Sequence, residues 1–330
     1  MARRFLLLSM VALAGSSGLV AQTRTTHIDP VSEATPIDKT TQTEDVRFRT
    51  EVNERMTVPV RIAGTGPYQF LVDTGADRTA ISRQLAGRLK FAASDSASLH
   101  SVAGVSTVST ATVPTLQLTR NVVRNINAPL LDGAHMGADG ILGVDSLRSQ
   151  RIMFDFEAQT MSVVPSAVPD FRAEPGTIVV QGRRRNGRLI VTEAQANEKP
   201  VTVVIDTGSQ ISIGNEALRR ELLGANLLEG GTQQVELQSV TGEKITGDYM
   251  IVRQIKIGDI GLKNLAVVFT DAHTFRQLKL DKRPALLLGM NAMRAFKKVS
   301  IDFASRKLRV VIPEQSALEL RLAAVQRDAL

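Results

Sequence analysis

Cysteine and tryptophan are absent from the 330 residues, and aromatics make up only 4%. Without a thiol, cysteine nucleophiles, disulfide frameworks and Cys-ligated zinc or iron–sulfur centres are excluded. So few aromatics argue against a base-stacking platform, and no nucleic-acid partner is expected. The only four histidines, His27, His100, His135 and His273, show neither metal-ligand spacing nor a Ser/His/Asp arrangement. No metal and no cofactor is therefore expected. No apolar run approaches the ~20 residues of a membrane-spanning helix.

What remains is a globular composition, 43% hydrophobic and 22% charged with 24 Gly and 12 Pro, on a chain long enough for two domains. The formal charge of +7 is diffuse. Its densest run, Arg183-Arg184-Arg185-Asn186-Gly187-Arg188, places Asn-Gly between two apolar runs. That pattern predicts a hairpin with a charged, solvated tip rather than a binding patch.

At the N-terminus, Arg3 and Arg4 precede an apolar stretch over 5–14, and small residues end at Ala21. Residues 1–21 read as an export signal, which predicts a periplasmic or secreted protein with no stable membrane insertion unless the signal stays uncleaved. Residues 22–50 hold eight Thr and little apolar periodicity, so a flexible Thr-rich lead is expected. At the other end, Leu318, Leu322 and Val325 fall on one helical face of 314–330, a helical tail expected to dock on the body.

Between these ends the sequence repeats itself. Val72-Asp73-Thr74-Gly75-Ala76 in the first copy matches Ile205-Asp206-Thr207-Gly208-Ser209 in the second. Three further landmarks follow in the same order. Ser101-Val102-Ala103-Gly104 matches Ser239-Val240-Thr241-Gly242, Ile141-Leu142-Gly143 matches Leu287-Leu288-Gly289, and Phe154-Asp155-Phe156 matches Ile301-Asp302-Phe303. The boundaries are 51–166 and 167–313. Short apolar or alternating runs bounded by Gly, Pro, Asn and Asp predict an all-β architecture of two related β-barrel lobes with a cleft between them. Short helices are expected at 82–90, 215–223, 146–150 and 291–297.

Each Asp-Thr-Gly follows three apolar residues, which puts the Asp at the end of a buried strand and a sharp turn at the Gly. A carboxylate there can accept backbone N–H bonds from the residues that follow, and the Thr hydroxyl can bond across to the other copy. One Asp-Thr-Gly is a weak signal, since about 0.07 are expected by chance in a chain of this length. Two, each leading the same ordered landmarks, are a strong one.

These residues resemble the retropepsin-like family of aspartic proteases, in a bacterial periplasmic form with both lobes in one chain. The resemblance spans roughly 50–313. It implies an aspartic endopeptidase with Asp73 and Asp206 as catalytic dyad, supported by Thr74, Gly75, Thr207 and Gly208. Ala76, Asp77 and Ser209 would face substrate, and Ser101, Val102, Ala103 and Gly104, with Ser239, Val240, Thr241 and Gly242, would form two flaps. The substrate implied is an extended polypeptide, and the form implied is a monomer with its dyad inside one chain. A homodimer with separate dyads and a catalytically silent peptide-binding protein are the alternatives. By analogy, strands near 152–164 and 300–312 would join the lobes in one sheet. The sequence departs from the family after each Leu-Gly. Val144-Asp145 and Met290-Asn291 stand where an Arg is usual, so Asp77 lacks its usual ion-pair partner, and neither flap carries a Tyr. Asp155 and Asp302 are expected to hold turns, Tyr68 and Tyr249 to pack half-buried, and His100 to lie at the surface.

Overall fold

The computed structural model describes residues 3–6, 12–13, 27–30, 44–47, 49–50, 56–118, 121–147, 149–167, 174, 176–185 and 188–313. The signal cleavage point at Ala21 and the tail at 314–330 lie outside the described residues. Among the described residues no helix is long and apolar enough to cross a membrane.

Two closed six-stranded barrels, related by the sequence repeat, make up the body. The first runs in the order Met56–Ile62, Thr65–Val72, Gly140–Leu142, Ala80–Ser82, Asn121–Leu131 and Val105–Leu118, which returns to Met56–Ile62. The second runs Arg188–Ala196, Lys199–Ile205, Ala285–Leu288, Ser212–Gly214, Ile260–Phe269 and Lys244–Ile257, which closes on Arg188–Ala196. Closure leaves no open edge in either barrel. Alternating burial along Val105–Leu118 and Lys244–Ile257 marks strands with one face on the core and one toward solvent. From each barrel a hairpin projects, Ala93–His100 with Val105–Leu118 and Leu228–Gln238 with Lys244–Ile257. The tips of these hairpins are the two Ser-Val-x-Gly segments.

A third, six-stranded sheet joins the lobes. Its centre is the antiparallel pair Gln150–Asp155 and Lys298–Asp302, with Ile152 opposite Ile301. Thr160–Pro165 and Lys307–Val311 flank that pair, and Glu44–Arg47 and Thr177–Gln181 form the outer strands. The Thr-rich stretch is thus not structureless where it is described. Glu44–Arg47, paired outside Thr160–Pro165, is the first-lobe counterpart of Thr177–Gln181, paired outside Lys307–Val311. The Asp155 and Asp302 carboxylates hold the hairpin turns of this sheet, accepting from Ala158 N, and from Ala304 N and Ser305 N.

Four helices overlap the expected ranges, the two after Leu-Gly beginning one or two residues earlier and ending sooner than expected. Ser82 caps Arg83–Arg88 by accepting from Leu85 N, and Asn215 caps Glu216–Gly224 by accepting from Leu218 N. Val144–Leu147 and Met290–Met293 follow the two Leu-Gly pairs. Two more, Gly133–Met136 and His273–Gln277, are single turns too short for a helical period to show in sequence.

The Leu-Gly segments pass directly beneath the loops that follow each Asp. Gly140–Leu142 runs parallel to Thr65–Val72 and antiparallel to Ala80–Ser82, and the chain then squeezes past Arg78. A Cβ on Gly143 would lie 2.4 Å from the Arg78 carbonyl carbon; on Gly289 it would lie 2.7 Å from that of Ile211. Both obstacles are backbone and cannot rotate away. Gly143→Ala is therefore expected to cost ~1–3 kcal/mol by overpacking, read as a lowered midpoint in urea, with Gly289→Ala behaving alike.

Candidate active site

Strands Thr65–Val72 and Lys199–Ile205 deliver Asp73 and Asp206 into the cleft, and both residues are 0% exposed. Each carboxylate is held by the turn its glycine permits. Gly75 N donates to Asp73 Oδ1 at 2.7 Å, and Gly208 N donates to Asp206 Oδ1 at 3.1 Å. Oδ2 of both residues is buried without a hydrogen-bond partner among the described residues. The two loops abut: a Cβ on Gly208 would lie 2.3 Å from Asp73 Cγ.

The threonines lock this contact. Thr74 N donates to Thr207 Oγ1 and Thr207 N to Thr74 Oγ1, both at 3.0 Å. Each hydroxyl then donates across the lobes, Thr74 Oγ1 to Ile205 O at 3.0 Å and Thr207 Oγ1 to Val72 O at 2.8 Å. Both side chains use donor and acceptor capacity at once, which buried hydroxyls require.

Burial raises both dyad carboxyls. Asp73 is pushed well above the ordinary carboxylate range by desolvation and then by the charge of Asp206. Asp206 is raised by desolvation to about 7, against the pull of Gly208 N and Arg188. Two buried carboxyls this close cannot both ionise, so the pair retains a proton where an isolated carboxyl would have lost it.

Asp77 finds its cation in a place the family pattern does not indicate. Arg188 is 0% exposed, donates from Nε to Gly75 O at 2.9 Å, and sets a terminal nitrogen 3.3 Å from Asp77 Oδ1. The hairpin expected around Asn186-Gly187 exists, with Arg185 opposite Arg188. The solvated-tip reading is corrected for Arg188, whose side chain turns inward because it begins the barrel strand Arg188–Ala196. A guanidinium cannot shed its charge, so its burial demands anions around it. Burial lowers Arg188 from its ordinary value, while Asp77, Asp206 and Asp73 act in the opposite sense. Asp77 itself, 26% exposed, is raised to about 6, desolvation outweighing the attraction of Arg188. The sequence carried one signal for this pair: an Asp77 left without an Arg after Leu-Gly, and an Arg opening a strand of the other lobe.

The residues after Leu-Gly do a different job. Asp145 Oδ1 accepts from Thr79 N and Thr79 Oγ1, both at 2.8 Å. Its equivalent Asn291 accepts from Ser212 N and Ser212 Oγ at 2.9 and 2.8 Å. Each pins the strand that leaves its Asp-Thr-Gly loop. Ala76 and Ser209 are fully buried beside the dyad, and the Ser209 hydroxyl donates to Ile211 O. Of the flap residues, Ser101, Val102, Ser239 and Val240 are buried, while Ala103, Gly104, Thr241 and Gly242 are half-buried. Tyr68 and Tyr249 are half-buried. His100 is not a surface residue. It is half-buried against His273, a contact between lobes that sequence reasoning missed because no periodicity brings these residues together. Among the described residues no group of three or more His, Asp or Glu is arranged to hold a metal ion.

Paired buried carboxyls, delivered by two barrels and locked by reciprocal threonine bonds, define a bilobal aspartic-dyad protein. Residues 58–146 and 192–292, together more than half of the chain, match the aspartyl protease family, one match in each lobe. The chain belongs to that family, in its retropepsin-like form. No curated protein matches the sequence.

Two predictions follow from the charges. Folded Asp206 binds its proton more tightly than the ordinary value of 3.8, so the folded state holds a proton that the unfolded chain releases. That stabilisation is complete at low pH and is lost as pH rises from about 4 toward 7. Asp206→Asn cannot titrate. Its unfolding free energy relative to the unchanged protein should climb across that window, by ~1.4 kcal/mol for each pKa unit of the shift, read from denaturant unfolding at each pH. Second, Asp77→Asn strands the Arg188 guanidinium and is expected to cost about 3 kcal/mol. Adding Arg188→Met should recover part of that loss, a non-additivity that urea titration of the double-mutant cycle measures.

Proposed function

We propose that the protein is an aspartic endopeptidase that hydrolyses peptide bonds of an extended polypeptide, with Asp73 and Asp206 as its catalytic pair. The observation that carries this reading is the orientation of the dyad. Oδ1 of each Asp is committed to its own loop, while Oδ2 of each is buried without a hydrogen-bond partner among the described residues. Two such oxygens, sharing one proton, suit a water molecule as reactant.

The ionised member takes a proton from that water as its oxygen attacks the carbonyl carbon. The protonated member donates to the carbonyl oxygen, so the developing negative charge is neutralised in a water-poor cleft. The tetrahedral species then breaks its C–N bond. The amine leaves with a proton from the carboxyl that gained one from water, and the gem-diol oxygen returns its proton to the other carboxyl. The products are a carboxylic acid and an amine, the dyad again holds one proton, and no covalent intermediate forms. An extended chain suits the cleft because the flap hairpins offer backbone groups to a strand laid beneath them. The same reading makes the protein an exported monomer, with residues 1–21 as its signal.

Purified mature protein incubated with a denatured protein mixture in mild acid is expected to yield fragments. Asp73→Asn and Asp206→Asn should each lower the rate at least ~100-fold, and a chelator should leave it unchanged. Identical digestion by the unchanged protein and either Asn variant would sink the proposal and favour a silent peptide binder. Activity in a preparation shown to be monomeric by mass separates the intramolecular dyad from a homodimer with separate dyads.

A further inference from the structure

Each hairpin tip crosses to the opposite lobe. Val102 of the first buries in the second-lobe cluster that contains Ile190, Val204, Ile213, Phe275 and Leu287. Val240 of the second buries in the first-lobe cluster that contains Leu71, Ala76, Met136 and Ile141. The two short helices that no helical period revealed are where these tips land. Val102 O accepts from His273 N at 2.8 Å. Gly242, at φ +87°, lies so close over the His135 ring that a Cβ would come within 2.3 Å of Cε1. Ser106 Oγ also donates to Glu243 Oε1 at 2.9 Å, so the hairpins are tied to each other.

Behind the first tip sits a polar cluster that the proposed chemistry does not use. His100 ends the strand Ala93–His100, and its Nδ1 lies 2.8 Å from His273 Nε2 on the other lobe. The two rings lie nearly parallel and meet edge to edge, with centroids 5.1 Å apart and planes within 13°. Gln277 Nε2, one turn beyond His273, approaches the same Nδ1 at 2.6 Å. With the cleft read as the substrate site, we infer that His100, His273 and Gln277 form a proton-sensitive clasp. It holds the first flap shut over the dyad at neutral pH and releases it in mild acid.

The chemistry of the contact requires this sensitivity. A bond between two ring nitrogens carries one proton, so one imidazole must accept. Once both rings are imidazolium neither nitrogen can accept, and two cations meet edge to edge. Among the described residues, the charged groups acting on His273 are Arg276 and Asp271 at its own helix, while Glu243 on the second hairpin bonds Ser106 of the first. Burial and Arg276 hold His273 below its ordinary value, against the weaker pull of Asp271. Opening the flap frees the rings to take protons, so acid favours the open form. These are positioning residues: they act through the flap and touch no reacting atom.

Hydrogen exchange of segments 99–106 and 239–245, corrected for the intrinsic rate at each pH, tests the clasp on the full chain. An Asp73→Asn/Asp206→Asn background keeps the dyad from titrating or cutting. Between neutral and about pH 5, exchange at 99–106 should accelerate about tenfold for each pKa unit by which closure weakens proton binding. The inter-lobe sheet should stay protected, which also reports that each variant is folded. His100→Gln and His273→Gln, whose side chains do not titrate, should lose the acid response. Equal flap protection at both pH values, or an undiminished response in both variants, overturns the clasp. Cleavage by the protein with its dyad intact is scored separately. Acid-released flaps without any cleavage would refute the protease reading and leave the clasp standing, whereas cleavage beneath pH-invariant flaps would do the reverse.

Discussion

Four hydrogen bonds between Thr74 and Thr207 and the chain around them fix everything else in the cleft. Each hydroxyl accepts from the opposite threonine's backbone and donates to the carbonyl just before the opposite aspartate. The separation of the carboxyls is thereby set by backbone, not by side-chain rotamers. A shift of one lobe past the other would leave buried donors and acceptors unpaired, at about 1–3 kcal/mol for each group. The six-stranded sheet below and Arg188 alongside hold the same boundary by other means. Burial of the two loops then raises the carboxyl pKa values.

The lobes share a plan but not a charge distribution. Asp77 has Gln210 at the equivalent position of the second copy, and Asp145 has Asn291. Asp145 and Asn291 make the same kind of contact with Thr79 and Ser212, so the amide substitutes for the carboxylate without altering the turn. Asp77 and Gln210 are not interchangeable in this way, because a buried guanidinium approaches only Asp77. The dyad therefore sits in an asymmetric field despite its near-symmetric backbone. Asp73 and Asp206 differ in what surrounds them rather than in how they are held.

Most of the fold was legible because it rests on local rules. Apolar alternation gave the strands, and the duplicated Asp-Thr-Gly located both turns and the threonine bonds between them. What stayed hidden depends on contacts between distant segments. Arg188 looked like part of a solvated charge run, since nothing in Arg183 to Arg188 says which cation turns inward. His100 and His273 are isolated in sequence, and only the folded hairpin sets one ring against the other. The single-turn helices Gly133–Met136 and His273–Gln277 carry no periodic signature, yet both receive a hairpin tip. Glu44–Arg47 is a strand because Thr160–Pro165 offers it an edge, not because its composition favours one.

The sheet shared by the lobes bears on the protein's construction as a fused pair. Its central ladder runs between Gln150–Asp155 of one half and Lys298–Asp302 of the other. A half produced alone would present this strand as a bare apolar edge, its ladder groups seeking any partner. Covalent fusion keeps the right partner at high effective concentration during folding, so the connecting segment guards against self-association as well as joining the halves.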